Sequence, residues 1–323
     1  MEISNLTPQG SILTQNDVEL WREKVRRFSL EFNKKAMKAD FDFGLLKTLK
    51  EQGSYDYFIT PMWKIHLDKI EELLLKGDIS ILDNKLVRYA IYLTVASEWA
   101  DKELPYLENM YPQEELQRLL LESGALNQTI VNQKYQTSES RINHLTHLTY
   151  FEEKTHLKLS KMQTLVEFGG GYGGMTALLK IIKPDNTIIV IDVPVMITLQ
   201  SYYIKHTLGE NCFHVLTEKD ITIKNEKINY VPVSLVHLLP SNLNIDLFIA
   251  TWSLSEANQY TQDLIEETNF LGAKHILYGY RHYVEKNTRQ PNSAPTPKML
   301  TFDIKFHGPS FWSLSDEQYY LFT

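Results

Sequence analysis

The stretch VEFGGGYGG, residues 166–174, is the most informative part of the chain, and its glycines fit two patterns. Counted from Gly169 they give G-x-G-x-x-G, whereas counted from Glu167 they give E-x-G-x-G-x-G. In either pattern the glycines let the backbone turn sharply after a strand and direct the N–H groups of a helix N-terminus at an anionic group. The stretch therefore predicts a nucleotide-binding loop, and the residues around it have to decide which nucleotide it binds.

From about residue 163, short β-branched segments alternate with helical ones, which is typical of βαβ units and a parallel sheet. The predicted strands are TLVEF, TIIVID, INYVPVSLV, DLFIAT and HILYGY, and then LTFDIKF and QYYLFT. The last two have no helical segment between them, so we expect them to be antiparallel. The expected fold class is α/β, with a Rossmann-like sheet that is mostly parallel and has an antiparallel last strand.

The part of the chain before residue 155 shows helical spacing only. The segments with this spacing are DVELWREKVRRFSLEF, PMWKIHLDKIEELLLKG, NKLVRYAIYLTVASEWA, PQEELQRLLLESG and SRINHLTHLTYFEEKT. We therefore predict two domains: an all-helical N-terminal domain over residues 1–155, acting as a cap or an oligomerisation surface, and a cofactor-binding domain over residues 156–323.

Composition narrows the class of partner. The net charge is −7 and the pI is about 5.8, so there is no basic surplus for binding DNA or RNA, and a small-molecule substrate is expected. The single cysteine, Cys212, excludes an internal disulfide framework. The first residues lack the pattern of a signal peptide, and Asp192 and Pro194 interrupt the most apolar segment, which predicts a cytoplasmic protein without a membrane span.

Two acidic residues help to choose between the ligands. Asp192 ends the second predicted strand about 20 residues beyond the loop, where an acid accepts hydrogen bonds from ribose hydroxyls in either ligand. Glu167 directly precedes the glycines, where a carboxylate favours the ammonium and sulfonium of S-adenosylmethionine over a diphosphate. The short remainder of the chain and the antiparallel last strand also favour the sheet of class I methyltransferases.

Three motifs carry a family resemblance: VEFGGGYGGM (166–175), IDVP with LQSYYI (191–194 and 199–204), and ATWSLSEA (250–257). On these motifs the chain resembles a bacterial family of sugar O-methyltransferases within the class I S-adenosylmethionine-dependent enzymes. The resemblance covers roughly residues 140–260 and is weaker toward both ends. It implies S-adenosylmethionine on the loop, its ribose on Asp192, and transfer of the methyl group to an oxygen of a sugar or sugar-containing molecule.

The resemblance also implies how the cofactor lies. Its methionine end is expected over the glycines and its adenine between Val193 and the end of the third predicted strand. The alternative for the glycines is a purely structural turn. The expected cofactor-binding residues are Glu167, Gly169, Gly170, Gly171, Gly173, Asp192, Val193, Ser234 and Thr251.

Methyl transfer from a sulfonium is an in-line displacement, and a sugar hydroxyl needs a base to remove its proton. Glu256 is one candidate, although Ser253-x-x-Glu256 is also a capping box in which the glutamate would only cap a helix. His282 is the second candidate, with Tyr280 and Arg281 beside it, and a solvent-facing histidine is its alternative.

His144 is the third candidate, because it stands one helical turn before His147 on the segment that leads into the second domain and could cover the pocket as a lid. The two histidines could also bind a metal, but no carboxylate or cysteine partner has suitable spacing. The fourth strand ends in Thr251-Trp252-Ser253 instead of acids, so we expect a metal-independent reaction. Trp252 and Tyr280 could stack on a sugar ring.

Two other functions remain open at this level. An NAD(P)-dependent oxidoreductase is supported by the literal G-x-G-x-x-G pattern, and a non-catalytic cofactor-binding protein would use the same loop. The helical region could form a homodimer interface in any of these cases. The sequence leaves the acceptor open among a sugar, a nucleotide sugar, a lipid-linked glycan and another small alcohol.

Overall fold

The computed structural model describes residues 39–91, 97–281, 295–310 and 318–323. The predicted helix near residues 17–32 and the candidate base His282 lie outside these ranges.

The helices are α1 (Phe43–Glu51), α2 (Pro61–Lys76), α3 (Lys85–Ile91), α4 (Ser97–Met110), α5 (Gln113–Leu120), α6 (Glu139–Thr155), α7 (Gly174–Ile182), α8 (Pro194–Leu208), α9 (Ser253–Glu256), α10 (Gln259–Glu267) and α11 (Asn269–Gly272). The strands are β1 (Thr164–Phe168), β2 (Thr187–Asp192), β3 (Phe213–Val215), β4 (Ile228–Pro232), β5 (Leu247–Thr251), β6 (His275–Arg281), β7 (Phe306–Pro309) and β8 (Gln318–Phe322).

The strands form one sheet in the order β3-β4-β2-β1-β5-β6-β8-β7. The six strands from β3 to β6 are parallel, and β8 lies antiparallel between β6 and β7. Strand β2 is apolar along nearly its whole length because helices cover both faces of a parallel sheet. This topology confirms the predicted α/β fold, a Rossmann-like sheet with mostly parallel strands and an antiparallel last strand.

Three short strands differ from the sequence-based prediction. The third predicted strand ends early, because β4 stops at Pro232 and residues Val233–Leu238 form a 3-10 helix. Strand β3 was not predicted, since three residues carry too little periodicity to be recognised. The predicted strand LTFDIKF is also wrong, because pairing with β8 begins only where Phe306 meets Phe322.

The long helix predicted for SEANQYTQDLIEETNFLG is divided into shorter pieces. Ala257 is extended, and the side chain of Asn258 accepts a hydrogen bond from the N–H of Thr261, so that a new helix, α10, begins there. Near the other end, Phe270 and Leu271 have left-handed backbone angles. The break leaves only four residues, in α9, directly after β5, which shapes the edge of the sheet where ligands of such folds bind.

The helical part packs closely on the sheet. Helix α2 is capped by Thr60 at its start and by Gly77 in a left-handed conformation at its end. Helix α6 packs against α4 and α7, and Phe151 meets Phe322 of β8 edge-on at 5.5 Å between ring centres. In the described part of the chain, no helix has the length and hydropathy of a membrane span. The division into domains at residue 155 stays a prediction.

Candidate cofactor and acceptor site

The glycine loop connects β1 to α7 at the carboxyl edge of the sheet. Gly169, Gly171 and Gly173 have φ angles of +71°, +55° and +98°, which side-chain-bearing residues rarely adopt. A Cβ built on Gly169 would lie only 2.4 Å from the Cβ of Ser253. The loop therefore passes so close to the start of α9 that glycine is required at position 169.

Asp192, at the end of β2, is held against this loop. One carboxylate oxygen accepts from the N–H of Val193 at 2.8 Å, and the other accepts from the side-chain amide of Gln200 at 2.7 Å. The N–H of Gly170 also donates to the carboxylate. The same amide of Gln200 donates to the carbonyl of Gly171 at 3.0 Å, so Gln200 ties the loop to the acid.

Gln200 and Tyr203 belong to the LQSYYI motif, and neither was predicted as a site residue. The ring of Tyr203 lies 3.2 Å from where a Cβ of Gly173 would be, and it meets Tyr172 edge-on at 5.1 Å. The Tyr203 hydroxyl donates to Glu122 at 3.2 Å. The Gln-x-Tyr-Tyr motif thus supports the glycine loop from α8, which gives the spacing in the sequence a physical reason.

Two carboxyl groups beside the glycine loop have raised pKa values. Burial raises the pKa of Asp192 to about 7, although the N–H of Val193 and the amide of Gln200 act in the opposite direction. Burial also raises the pKa of Glu167 to about 7, and the neighbouring charge of Asp192 adds to the effect. Glu167 accepts a hydrogen bond from the Thr176 hydroxyl in α7. A cation placed beside these acids would favour their charged forms.

The expected adenine region lies between Val193 and Ser234. Val193 caps the start of α8 and is buried, and Ser234 lies in the 3-10 helix after β4 instead of in the strand. Gly53, from the helical part, approaches Ser234, because a Cβ built on it would lie 4.0 Å from the serine Cβ. A segment from before the sheet therefore reaches the edge that we expect the adenine to occupy.

This segment, residues 52–60, is called the strap. At one end the side chain of Gln52 accepts from the N–H of Glu218 at 2.7 Å. At the other end the side-chain amide of Asn258 donates to the carbonyls of Tyr57 at 2.7 Å and Ile59 at 3.2 Å. The strap thus spans the carboxyl edge of the sheet from the loop after β3 to the start of α10.

The end of β5 holds the next group of predicted residues. Thr251 ends the strand, and Trp252 follows with a φ of +66°, its N–H donating to the carbonyl of Gly279 at 2.8 Å. A left-handed backbone at a tryptophan is costly, and such strain is concentrated at functional sites. The indole ring faces His147 at 6.1 Å and Tyr320 at 5.9 Å, and so forms an aromatic wall.

The capping-box alternative for Glu256 is wrong. Trp252, not Ser253, is the residue that precedes α9, and no side chain caps the helix there. The Ser253 hydroxyl donates instead to the carbonyl of Phe168 at the end of β1. Glu256 is the last residue of α9 and is partly buried. Its role as a base stays a prediction, and so does that of His282, which lies outside the described residues.

His144 and His147 lie on α6 and face different parts of the site. His144 stacks on Tyr172 of the glycine loop at 6.0 Å, and its buried Nδ1 has no hydrogen-bond partner. Burial and the nearby Arg141 lower the pKa of His144 to about 3, so its ring is neutral. His147 is hydrogen-bonded through Nδ1 to the Tyr320 hydroxyl, which leaves His144 as the histidine directed at the loop.

The side chain of Tyr280 contacts residues of strands β6, β7 and β8. Its hydroxyl shares a hydrogen bond of 2.8 Å with the ring of His307 in β7, and its ring stacks on Tyr278 and Tyr319. These contacts belong to the antiparallel edge of the sheet. The prediction that Tyr280 stacks on a sugar ring stays untested, and Trp252 is the better placed of the two predicted aromatic residues.

A buried carboxyl that was not predicted lies behind the histidines. Glu103 of α4 is fully buried and accepts from the side-chain amide of Asn143 at 2.8 Å, while its second oxygen has no partner. Burial and the nearby Glu139 raise the pKa of Glu103 to about 8. The contact joins residues 40 positions apart in the chain, so periodicity could not have revealed it.

Among the described residues, no three histidine, cysteine, aspartate or glutamate side chains come together as a metal site would require. The metal-independent reaction stays a prediction, since it concerns chemistry and not grouping alone.

No protein-family model and no curated protein sequence matches the chain. Among solved structures, the chain is similar to a SAM-dependent methyltransferase from Aquifex aeolicus, with 14% identity, a TM-score of 0.37, and coverage of 57% of this chain and 92% of that one. It is similar to a methyltransferase from Podospora anserina solved with SAH bound, with 16% identity, a TM-score of 0.33, and coverage of 58% and 71%. It is also similar to an O-methyltransferase family protein from Burkholderia thailandensis, with 12% identity, a TM-score of 0.35, and coverage of 97% and 98%. The resemblance to sugar O-methyltransferases therefore depends on the three sequence motifs alone.

Proposed function

We propose that the protein is an S-adenosylmethionine-dependent O-methyltransferase that acts on a hydroxyl of a sugar or of a small molecule containing a sugar. The observation that carries the proposal is the glycine loop, which Gln200 fastens to the Asp192 carboxylate at the carboxyl edge of a parallel sheet. Asp192 lies where ribose hydroxyls would donate to it. Glu167, directly before the loop, adds an acidic group that suits a cation and opposes a diphosphate.

The residues fit this cofactor in three respects. The positive φ angles of the loop bring backbone close to a ligand without side chains in between. The buried Oε1 of Gln200 has no partner and could accept from a ribose hydroxyl. Val193 and Ser234, which Gly53 of the strap approaches, flank the region expected to take the adenine. When bound, the cofactor supplies a methyl group on a positively charged sulfur.

The chain itself has to hold the acceptor hydroxyl and receive its proton. We assign His144 as the proton acceptor, because its ring lies against the glycine loop, is neutral, and has a nitrogen without a partner. Its low pKa limits how much proton transfer can precede methyl transfer, so alignment of the acceptor should contribute most of the rate enhancement. Trp252 provides an apolar face for one side of a sugar ring.

The first experiment is calorimetric titration of the purified protein with S-adenosylhomocysteine, and with NADH and NADPH as parallel ligands. We expect saturable binding of S-adenosylhomocysteine at one site and no binding of either nicotinamide cofactor. Binding of a nicotinamide cofactor alone would replace the proposal with the oxidoreductase alternative. A radiolabelled methyl-transfer screen against monosaccharides, nucleotide sugars and simple alcohols would then identify the acceptor, and transfer to amines alone would refute the O-methyltransferase assignment.

A further inference from the structure

Arg141, in the first turn of α6, is a buried cation beside the start of α7. Its side chain is 1% exposed. Nε donates to the carbonyl of Leu119 at 2.7 Å, and Nη1 donates to the carbonyl of Gly174 at 3.3 Å. The remaining nitrogen, Nη2, is buried and has no acceptor. The guanidinium therefore has one unused donor group next to the first residue of the helix that follows the glycine loop.

The charge of Arg141 is also unpaired. Within the described ranges, no carboxylate oxygen lies within 4.0 Å of it. Glu122, a buried acid in the same region, instead accepts from the hydroxyls of Ser138, Tyr172 and Tyr203. A nearby second arginine, Arg118, adds positive charge. A buried ion without a counter-ion is strongly unfavourable, so the site calls for an anion that these residues do not provide.

The N-terminus of helix α7 adds positive electrostatic potential beside Arg141. Helix α7 has nine residues and begins at Gly174, and the first N–H groups of a helix have no partner inside it. The helix dipole places partial positive charge at this end. Two independent features, an unpaired guanidinium and a helix N-terminus, therefore favour an anion at one place beside the glycine loop.

We propose that Arg141 binds the carboxylate of the amino-acid end of S-adenosylmethionine. The assignment rests on the proposed function, and it explains an arrangement of opposite charges around the loop. Glu167 precedes the loop and Arg141 contacts the residue that follows it. An amino acid carries an ammonium and a carboxylate side by side, so its two charges match these two residues.

The assignment can be tested without knowing the acceptor. The ligands are S-adenosylhomocysteine and 5′-methylthioadenosine, which has the same adenosine and sulfur but no amino-acid end. In Arg141→Met we expect affinity for S-adenosylhomocysteine to fall tenfold or more, as for loss of a charged hydrogen-bonding pair, and affinity for methylthioadenosine to stay within about twofold. Lys180→Met is the control, because Lys180 is also a buried cation that donates to carbonyls, those of Pro184, Asn186 and Glu226, and lies near the other end of α7; it should change neither affinity.

An equal loss for both ligands, or no loss for either, would overturn the assignment of Arg141. If Arg141→Met does not fold, the wild-type protein decides. It should bind S-adenosylhomocysteine at least tenfold more tightly than decarboxylated S-adenosylhomocysteine, which keeps the ammonium, and equal affinities would overturn the assignment. A wild-type protein that binds neither S-adenosylhomocysteine nor methylthioadenosine would refute the proposed function itself, which is a distinguishable result.

Discussion

Two effects act in opposite directions on the ionisation of Asp192. Its carboxylate accepts from Val193, Gly170 and Gln200, which favours the charged form, yet burial raises its pKa to about 7. A carboxylate held in this way interacts strongly with any hydroxyl that reaches it, because little water competes. The residue that we expect to bind the ribose is therefore one that slightly destabilises the protein without its ligand.

The substitution Asp192→Asn tests the role of this carboxylate in both ligand binding and stability. Affinity for S-adenosylhomocysteine should fall by roughly 10- to 100-fold, since hydrogen bonds to a charged group contribute about 1.5–3 kcal/mol. The melting temperature at pH 8 should not fall, because the new amide carries no charge, and a turn of the Gln200 amide lets its unpartnered Oε1 accept from the new side chain in place of the present bond. Titration calorimetry and thermal unfolding measure the two effects.

Asp263→Asn, at an exposed position of α10, is the control for Asp192→Asn and should alter neither quantity. Retained micromolar binding by Asp192→Asn together with a lower melting temperature would reduce Asp192 to a structural residue.

Gly169 allows a second prediction at the residue scale. Gly169→Ala introduces both a strained φ of +71° and a contact of 2.4 Å with Ser253, whereas Gly171→Ala introduces strain with its nearest neighbour 3.7 Å away. Gly171→Ala should cost about 1–2 kcal/mol of unfolding free energy, and Gly169→Ala should cost about 1–3 kcal/mol more. Urea unfolding followed by circular dichroism measures both.

The double variant Gly169→Ala/Ser253→Gly separates the contact from the strain, because it removes the Cβ that the alanine would strike. The double variant should regain most of the additional unfolding free energy that Gly169→Ala loses, although it lacks the hydrogen bond from the Ser253 hydroxyl to the Phe168 carbonyl. Equal stability of the two single variants would mean that the loop can move away from α9.

At the scale of elements, α8 stabilises the glycine loop through one side chain. Gln200→Ala removes hydrogen bonds of 3.0 Å to Gly171 and 2.7 Å to Asp192. We expect faster hydrogen exchange in residues 169–174 and weaker binding of S-adenosylhomocysteine, by roughly tenfold, because the loop is no longer held in position. Lys205→Ala on the same helix, which pairs with Asp40 and Glu210 at the surface, is the control. Unchanged exchange in the loop would contradict the role given to Gln200.

The side chain of Asn258 caps α10 with its oxygen and holds the strap with its amide group, and two substitutions distinguish these roles. Asn258→Ser keeps an oxygen that can cap α10 but loses the amide that holds the strap, whereas Asn258→Ala loses both. Asn258→Ala should lower stability by about 1 kcal/mol more than Asn258→Ser, which is the usual value of such a cap. Both should increase cleavage of the strap in limited proteolysis. Cleavage of the strap only in Asn258→Ala would show that the cap, and not the amide, controls it.

The elements also show how far the sequence could be interpreted. The glycine loop, Asp192 and the long central strands were predicted because each is encoded by neighbouring residues. Gln200, Arg141 and Glu103 were not, because their importance arises from contacts between residues 29, 33 and 40 positions apart. Ser253 was misassigned because its hydroxyl reaches a strand 85 residues away instead of its own helix.

At the scale of the whole molecule, three buried acids make stability depend on pH. The pKa values of Glu167 and Asp192 are raised to about 7 and that of Glu103 to about 8. In the unfolded chain these groups release their protons near pH 4, so the folded state binds more protons between about pH 4 and 8. Stability conferred by the neutral acids is therefore present at low pH and is lost as pH rises through 7 to 8.

The ligand-free protein should consequently melt at a higher temperature at pH 6 than at pH 8. Acids with lowered pKa values, such as Glu72 at about 2, titrate below this interval. The buried histidines His144 and His147, whose pKa values burial lowers, make stability rise with pH near 6.5 and so oppose the trend, but by less than the three acids contribute. Affinity for S-adenosylhomocysteine should change in the opposite sense and rise with pH through 7, because ribose binding needs Asp192 in its charged form. Thermal unfolding and calorimetry at matched ionic strength measure the two trends.

Glu103→Gln provides the matched control for the pH dependence, since it removes one titrating group far from the glycine loop in sequence. It should reduce the loss of melting temperature between pH 6 and 8 and leave the pH dependence of ligand affinity unchanged. A melting temperature that rises between pH 6 and 8 would contradict the raised pKa values.

The strap has a consequence for the timing of a catalytic cycle. Its ends are hydrogen-bonded to Glu218 and Asn258 on opposite sides of Ser234. The strap would therefore cover a nucleoside bound next to Ser234, and only a few hydrogen bonds would hold it in that position. If S-adenosylmethionine binds as we propose, spent cofactor leaves on this side only after those bonds open. The residence time of the product, rather than the methyl transfer, would then set the turnover number of the enzyme.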